Sequence, residues 1–265
     1  MKRVILLTGC INPNGMPFTQ LIDANEREKQ YINAILYYLD NTDCEIVFCE
    51  NSNTDITPFL NINTAQNRLE VLTFSGNQNK QRGKGYGEAE IIEYALLNSS
   101  YIQNNCIIIK ITGRLIVNNI CQIIKSITCK HDFVTCLFHS DLKFADSRIF
   151  CATTTFFREF LNNKELINDY KNAFFEHVLA STVLASSIHF MPYIEEPLIT
   201  GISGSTGKQY PLMATDSRKN YLFKRYSWTQ AKKIYDISTH RHQSILKKIM
   251  FTLNIFKYTL LSKIM

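Results

Sequence analysis

Residues 106–117 read CIIIKITGRLIV. Apolar, mostly β-branched residues are interrupted only by Lys110, and the run stops at Thr112-Gly113-Arg114. Such residues fit a pleated, packed surface. A short apolar run bounded by a turn signal fits a strand buried on both faces. The stretch therefore predicts a central strand that delivers a glycine and a guanidinium to the carboxyl edge of a sheet. In open α/β sheets, ligands bind beyond that edge. Arginine keeps its charge and its planar fork suits phosphate, so Arg114 is expected to meet phosphate.

Strands and helices alternate along the chain. Strands are expected over 4–7, 45–49, 69–74, 133–138, 147–155 and 188–194, and helices over 23–39, 88–97, 120–127, 156–170 and 173–186. In the first of those helix spans, 23–39, Ile32, Ile35, Leu36 and Leu39 fall on one side. Residues 75–87 and 200–207 read as loops, the latter small and flexible. This alternation implies a mixed, mainly parallel sheet covered on both faces.

With 265 residues and 45% hydrophobic composition, one α/β domain with an appendage is expected rather than a disordered chain. Net charge is +6 but uneven. From Ile237 onward Arg241, Lys247, Lys248, Lys257 and Lys263 meet no carboxylate, and residues 216–236 hold six basic against two acidic residues. By difference, the first 215 residues carry about −3. A basic end on an acidic body suggests an anionic surface as partner. In 240–265, Leu246, Ile249, Met250, Leu253, Phe256, Leu260 and Ile264 recur at helical spacing, as in a helix lying in a membrane interface. The expected division is a body over 1–215 and a basic helical tail over 216–265. No run approaches 18 apolar residues, so no membrane span is expected. The eight cysteines form no Cys-x-x-Cys pair and read as reduced core thiols of a cytosolic protein. Leu7-Thr8-Gly9-Cys10 looks like a lipoprotein cleavage box, but the apolar run before it is too short, and cleavage would delete the first strand.

Candidate chemistry gathers at strand exits. Thr8-Gly9 closes the first strand, Glu50-Asn51-Ser52 the second, and Lys110 and Thr112-Gly113-Arg114 the fourth, while Gly83-Lys84-Gly85-Tyr86-Gly87-Glu88 opens a helix. In a parallel sheet these share one edge and offer hydroxyls, amides, backbone N–H groups and cations to a nucleotide diphosphate. The glycine stretch is neither a P-loop nor a dinucleotide fingerprint. Downstream, Asp146-Ser147-Arg148 could orient sugar hydroxyls. Glu176, with His177 as substitute, could act as a base, and Glu195 and Glu196 are a third option.

In that order, these motifs resemble small bacterial glycosyltransferases of capsule and O-antigen (lipopolysaccharide) clusters, over roughly residues 3–205. The resemblance implies a single GT-A-like, Rossmann-like α/β domain with a donor half over about 1–117 and an acceptor half over about 118–215. It implies sugar transfer from a nucleotide-sugar donor to a glycan or lipid-linked glycan, in the cytoplasm, peripheral at the inner face of the bacterial cytoplasmic membrane. Glu176, His177 and Asp146 would be catalytic. Thr8, Gly9, Glu50, Asn51, Ser52, Lys84, Gly85, Tyr86, Gly87, Lys110, Thr112, Gly113 and Arg114 would hold the donor, and Ser147 and Arg148 the acceptor. Enzymes of this kind commonly end strand four with an Asp-x-Asp that binds Mn²⁺ or Mg²⁺. This chain has none, and Asp141 and Asp146 stand apart in sequence. Arg114, with Lys84, is therefore expected to neutralise the diphosphate, with no metal and no resident cofactor, and inversion is preferred. A homodimer stays open, and no nucleic-acid partner is expected. Two alternatives remain: a sugar nucleotidyltransferase, which would want a basic residue after strand one, and a nucleic-acid binder, which would want basic and aromatic residues on the sheet face.

Overall fold

The computed structural model describes residues 1–60, 67–210, 214 and 216–239. The expected α/β architecture with a mixed, mainly parallel sheet is what the chain adopts. Seven strands lie in the order β3-β2-β1-β4-β7-β6-β8. They are β1 (Arg3–Gly9), β2 (Glu45–Glu50), β3 (Leu69–Thr73), β4 (Ile107–Thr112), β6 (Phe133–Thr135), β7 (Ile149–Thr153) and β8 (His189–Phe190). Neighbours pair in parallel from β3 across to β4, and β6 pairs with β8 in parallel; only β7 runs against the rest. Val4 to Leu7 and Ile108 and Ile109 are fully buried, as unbroken apolar strands covered on both faces should be.

Helix α1 (Ala24–Asn41) starts at Asp23, whose side chain accepts from the Asn25 and Glu26 amides at 2.9 and 3.1 Å. Its buried stripe is Arg27, Tyr31, Ala34, Ile35, Tyr38 and Leu39, while Ile32 and Leu36 are only half-buried. Tyrosine explains the rotation of the stripe: each ring packs inside while its hydroxyl meets backbone at the sheet edge. Tyr31 Oη accepts from the Cys10 amide at 2.9 Å. Tyr38 Oη donates to Leu115 O and accepts from the Val117 amide, both at 2.9 Å. That clamp fixes the turn after β4, so the sequence run read as one strand is two, β4 and β5 (Ile116–Val117).

Helix α2 (Lys84–Asn98) begins four residues before its expected start, and α3 (Ile120–Ser126) follows β5. The helix expected over 156–170 is α4 (Thr154–Asn162) followed by two short 3-10 turns, Lys164–Leu166 and Asp169–Lys171. Helix α5 (Phe175–Ala185) then leads to β8. The span 200–207 is not simply a loop. β9 (Ile199–Ile202) pairs antiparallel with β5 and with β10 (Gln209–Tyr210), leaving a tight turn over 203–208. Helix α6 (Arg218–Thr239) packs on α5: Tyr221 Oη donates to Tyr193 O at 3.0 Å, Trp228 is buried, and Lys232 Nζ donates to Ser186 O at 2.7 Å. This part of the expected tail is thus docked on the body, whereas the amphipathic pattern of 240–265 lies outside the described residues. Among the described residues, no helix is long and apolar enough to cross a membrane. All eight cysteines are free thiols, five of them buried.

Candidate active site

Sheet register brings the site together. Thr8 lies opposite Thr112, and Gly9 opposite Glu50, so β1, β2 and β4 end at one edge. Because β7 runs the other way, its start, Ile149, lies opposite Ile111. Ser147 and Arg148 therefore arrive at the edge where β4 leaves. A cleft of about 200 Å³ opens there. Thr8, Gly9, Asn51, Lys84, Gly87, Thr112, Arg114, Ser147, Arg148 and Glu176 all line it.

Arg114 is 8% exposed. Its Nη1 donates to Ile202 O at 2.9 Å and to Gln30 Oε1 at 3.3 Å, while its buried Nε has no partner. Sequence reasoning missed a second guanidinium on the same wall. Arg27, 5% exposed, donates through Nε to Cys10 O at 2.7 Å, through Nη1 to Leu21 O at 3.0 Å and through Nη2 to Tyr31 Oη at 3.3 Å. The signal was available: Arg27 stands four residues before Tyr31, on the face that α1 buries. Neither arginine forms an ion pair among the described residues. Lys84 Nζ donates to Ser205 Oγ, which ties α2 to the 203–208 turn.

A polar chain joins the two halves of the cleft. Lys110 is fully buried, pairs with Glu88 and donates to Ser147 O at 2.6 Å. Glu88 also accepts from Thr8 Oγ1 at 3.1 Å. Ser147 Oγ in turn donates to Glu176 Oε1 at 2.6 Å. Burial pushes the Glu176 carboxyl above the usual range, against the opposing pull of the Ser147 hydrogen bond. Lys110 thus sits behind the cleft wall rather than in it, and Glu88, outside the expected set, lines it.

Other expected contacts serve the scaffold. Glu50 is fully buried, and its carboxylate accepts from the Ile11, Ser52 and Thr54 amides and from the Ser52 and Thr73 hydroxyls. It builds the loops after β1 and β2 instead of facing the cleft, and Ser52 is one of its donors. Gly85 N–H donates to Asp169 Oδ2 at 3.1 Å, so the positive end of α2 is already occupied by a carboxylate. Gly83 has φ 90°, and a Cβ on it would overlap Asp169. Gly83 and Gly85 admit the Asp169 turn, while Gly87 packs against Asn77 and Asn51. Tyr86 points away, donating to Glu165 at 2.8 Å under Arg82. Gly113 packs on Tyr31 and Thr8 O. His177 Nδ1 accepts from the Phe174 amide at 3.3 Å and caps α5. Asp146 grips Arg148, Oδ2 to Nη2 at 2.6 Å, and Arg148 lies 4.7 Å from the Tyr210 ring centroid. Glu196 Oε2 accepts from the Asp216 amide at 3.3 Å, away from the cleft. Among the described residues, no three His, Cys, Asp or Glu side chains cluster as a metal site would require.

No protein-family model matches the chain, and no curated protein matches it. Solved structures similar to it include the following. HddC from Yersinia pseudotuberculosis is 13% identical, with TM-score 0.43 over 76% of this chain and 93% of that one. A nucleoside-diphosphate-sugar pyrophosphorylase from Vibrio cholerae is 8% identical, with TM-score 0.42 over 75% and 94%. A 4-diphosphocytidyl-2C-methyl-D-erythritol synthase from Anaerococcus prevotii is 8% identical, with TM-score 0.37 over 86% and 96%. Likeness this distant assigns no activity to the chain.

Proposed function

We propose that the chain is a glycosyltransferase that moves a sugar from a nucleotide-sugar donor to a hydroxyl of a cell-surface glycan. The observation that carries this reading is one cleft holding both a buried guanidinium with a sealed, unpartnered Nε, on Arg114, and a carboxyl of raised proton affinity, on Glu176. Sugar transfer uses that pair. The acceptor oxygen bonds to the sugar's anomeric carbon, its proton passes to Glu176, and the bond to the leaving phosphate breaks with its electrons. Arg114 offsets the charge that develops on the departing nucleotide. Thr8, Gly9, Asn51 and Lys84 hold the nucleotide, and Ser147 and Arg148 border the acceptor. Direct displacement by one base inverts the anomeric centre. The motif resemblance supports a capsule or O-antigen acceptor, carried on lipid at the inner membrane face and reached through the basic residues of 240–265.

Guanidinium charge takes the part that a divalent ion plays elsewhere, so EDTA leaves the rate unchanged; loss of activity with EDTA and recovery with Mn²⁺ would refute this. The wider test incubates the protein with a panel of nucleotide sugars and follows free nucleotide. Slow hydrolysis is expected, lost in Arg114→Gln and in Glu176→Gln. Pyrophosphate-dependent formation of nucleoside triphosphate would instead make it a nucleotidyltransferase, against which residues 10–22, after β1, hold no Lys or Arg.

A further inference from the structure

The proposed reaction leaves Arg27 without a part. Arg27 and Arg114 flank the Tyr31 ring, their guanidinium carbons 6.0 and 5.9 Å from its centroid. A methyl group on Gly204 would stand 2.5 Å from Arg114 Nη2 and 3.8 Å from Arg27 Nη1. Those two nitrogens are thus no farther apart than the two distances laid end to end. Every acceptor bonded to the pair is neutral: Cys10 O, Leu21 O and Tyr31 Oη for Arg27, Ile202 O and Gln30 Oε1 for Arg114. Lys84, on the same cleft, donates to the neutral Ser205 hydroxyl. The cleft's carboxylates are engaged elsewhere, Glu88 by Lys110 and Glu176 by Ser147. Burying like charges side by side without a counter-charge is unfavourable, and an anion between them reverses the balance.

We propose that Arg27 and Arg114 form a two-guanidinium clamp for both phosphoryl groups of a nucleoside diphosphate, so that the donor is a nucleoside-diphosphate sugar and not a nucleoside-monophosphate sugar. This rests on the cleft being the donor site of the proposed function. The donor count fits. Arginine has five N–H groups. Arg27 has one free on each terminal nitrogen, and Arg114 keeps Nε–H and both on Nη2, the edge of the fork that grips phosphate in bidentate fashion. The charge also fits. A departing diphosphate carries about three negative charges, matching Arg27, Arg114 and Lys84, whereas a monophosphate carries about two and leaves a cation uncompensated. The turn at Gly204 lies over the clamp, its carbonyl accepting from the Gln20 amide at 2.9 Å.

Calorimetric titration of the full chain with pyrophosphate, phosphate, and the di- and monophosphates of uridine, guanosine, thymidine and cytidine tests the clamp. Pyrophosphate should bind at least tenfold more tightly than phosphate, and one nucleoside diphosphate at least tenfold more tightly than its own monophosphate. Arg27→Gln should abolish that preference and leave monophosphate affinity within twofold. Equal affinity for di- and monophosphate in the unaltered protein, or no binding of pyrophosphate, overturns the clamp. Arg27 also ties two backbone carbonyls, so Arg27→Lys serves if Arg27→Gln does not fold; an unchanged preference in a folded variant overturns it as well. Arg27-dependent diphosphate binding without sugar transfer would keep the clamp and remove the glycosyltransferase reading. Transfer from a cytidine-monophosphate sugar by a fully active Arg27 variant would do the reverse.

Discussion

Glu176 stands in the first turn of α5 with its carboxyl drawn up by burial. A raised carboxyl pKa means that the folded protein holds this proton more tightly than the unfolded chain does. Stability from this group is therefore present at low pH and falls as pH rises from the ordinary glutamate range through the raised value. Glu176→Gln keeps the acceptor for Ser147 and removes that cost. Transfer should drop at least ~100-fold, while the melting temperature at pH 7 is unchanged or higher. For the proposed transfer by the unaltered protein, the acid limb of the rate profile should lie above the ordinary glutamate value. Gly83 makes a contrasting case. Its φ of 90° with ψ near 180° belongs to glycine alone. Gly83→Ala should cost about 2 kcal/mol or more, read as a lower urea midpoint. Single residues were unevenly legible. Position and charge were enough to bring Arg114 and Glu176 to the edge where the cleft opens. Arg27 hid in an amphipathic helix, and Glu50 looked like a ligand contact because nothing in the sequence reveals the donors that enclose it.

Strand β4 carries a lysine into the core, and its charge is answered from α2 by Glu88. Removing one partner of such a pair strands the other. Lys110→Met should cost about 3 kcal/mol by denaturant titration, with part recovered on adding Glu88→Leu. Strands read well from their apolar runs because burial on both faces leaves little choice of residue. Helix starts read poorly. The first turn of α2 is glycine-rich and looks like a phosphate loop, yet its amide partner is Asp169, 84 residues further on. The segment 200–207 looks like a loop because β9 draws one partner, β5, from far back in the chain and the other from the two-residue β10. Non-local pairing of this kind has no signature in a local window.

The sheet order sets how the two sides of the cleft relate. Chain segments before β5 supply every cation named in the clamp, and segments after it supply Ser147, Arg148 and Glu176. The basic end was legible as charge, and its proposed membrane role is testable. Lys247→Glu with Lys248→Glu should abolish co-sedimentation with vesicles rich in anionic lipid and leave nucleotide binding intact; raised salt should weaken the unaltered protein's binding in the same way. Within the sheet, one strand against six has an evolutionary corollary. The connection from β6 to its antiparallel neighbour β7 turns at the mouth of the cleft, pinned at its base by the bridge between Phe138 and Ala145. Only the exposed tip of that connection, residues 139–143, can therefore be exchanged, lengthened or shortened with little penalty to folding, because Cys136, Phe138, Ala145 and Ser147 are buried; under the proposed function, chimaeras grafted at the tip should change what receives the sugar without changing what gives it.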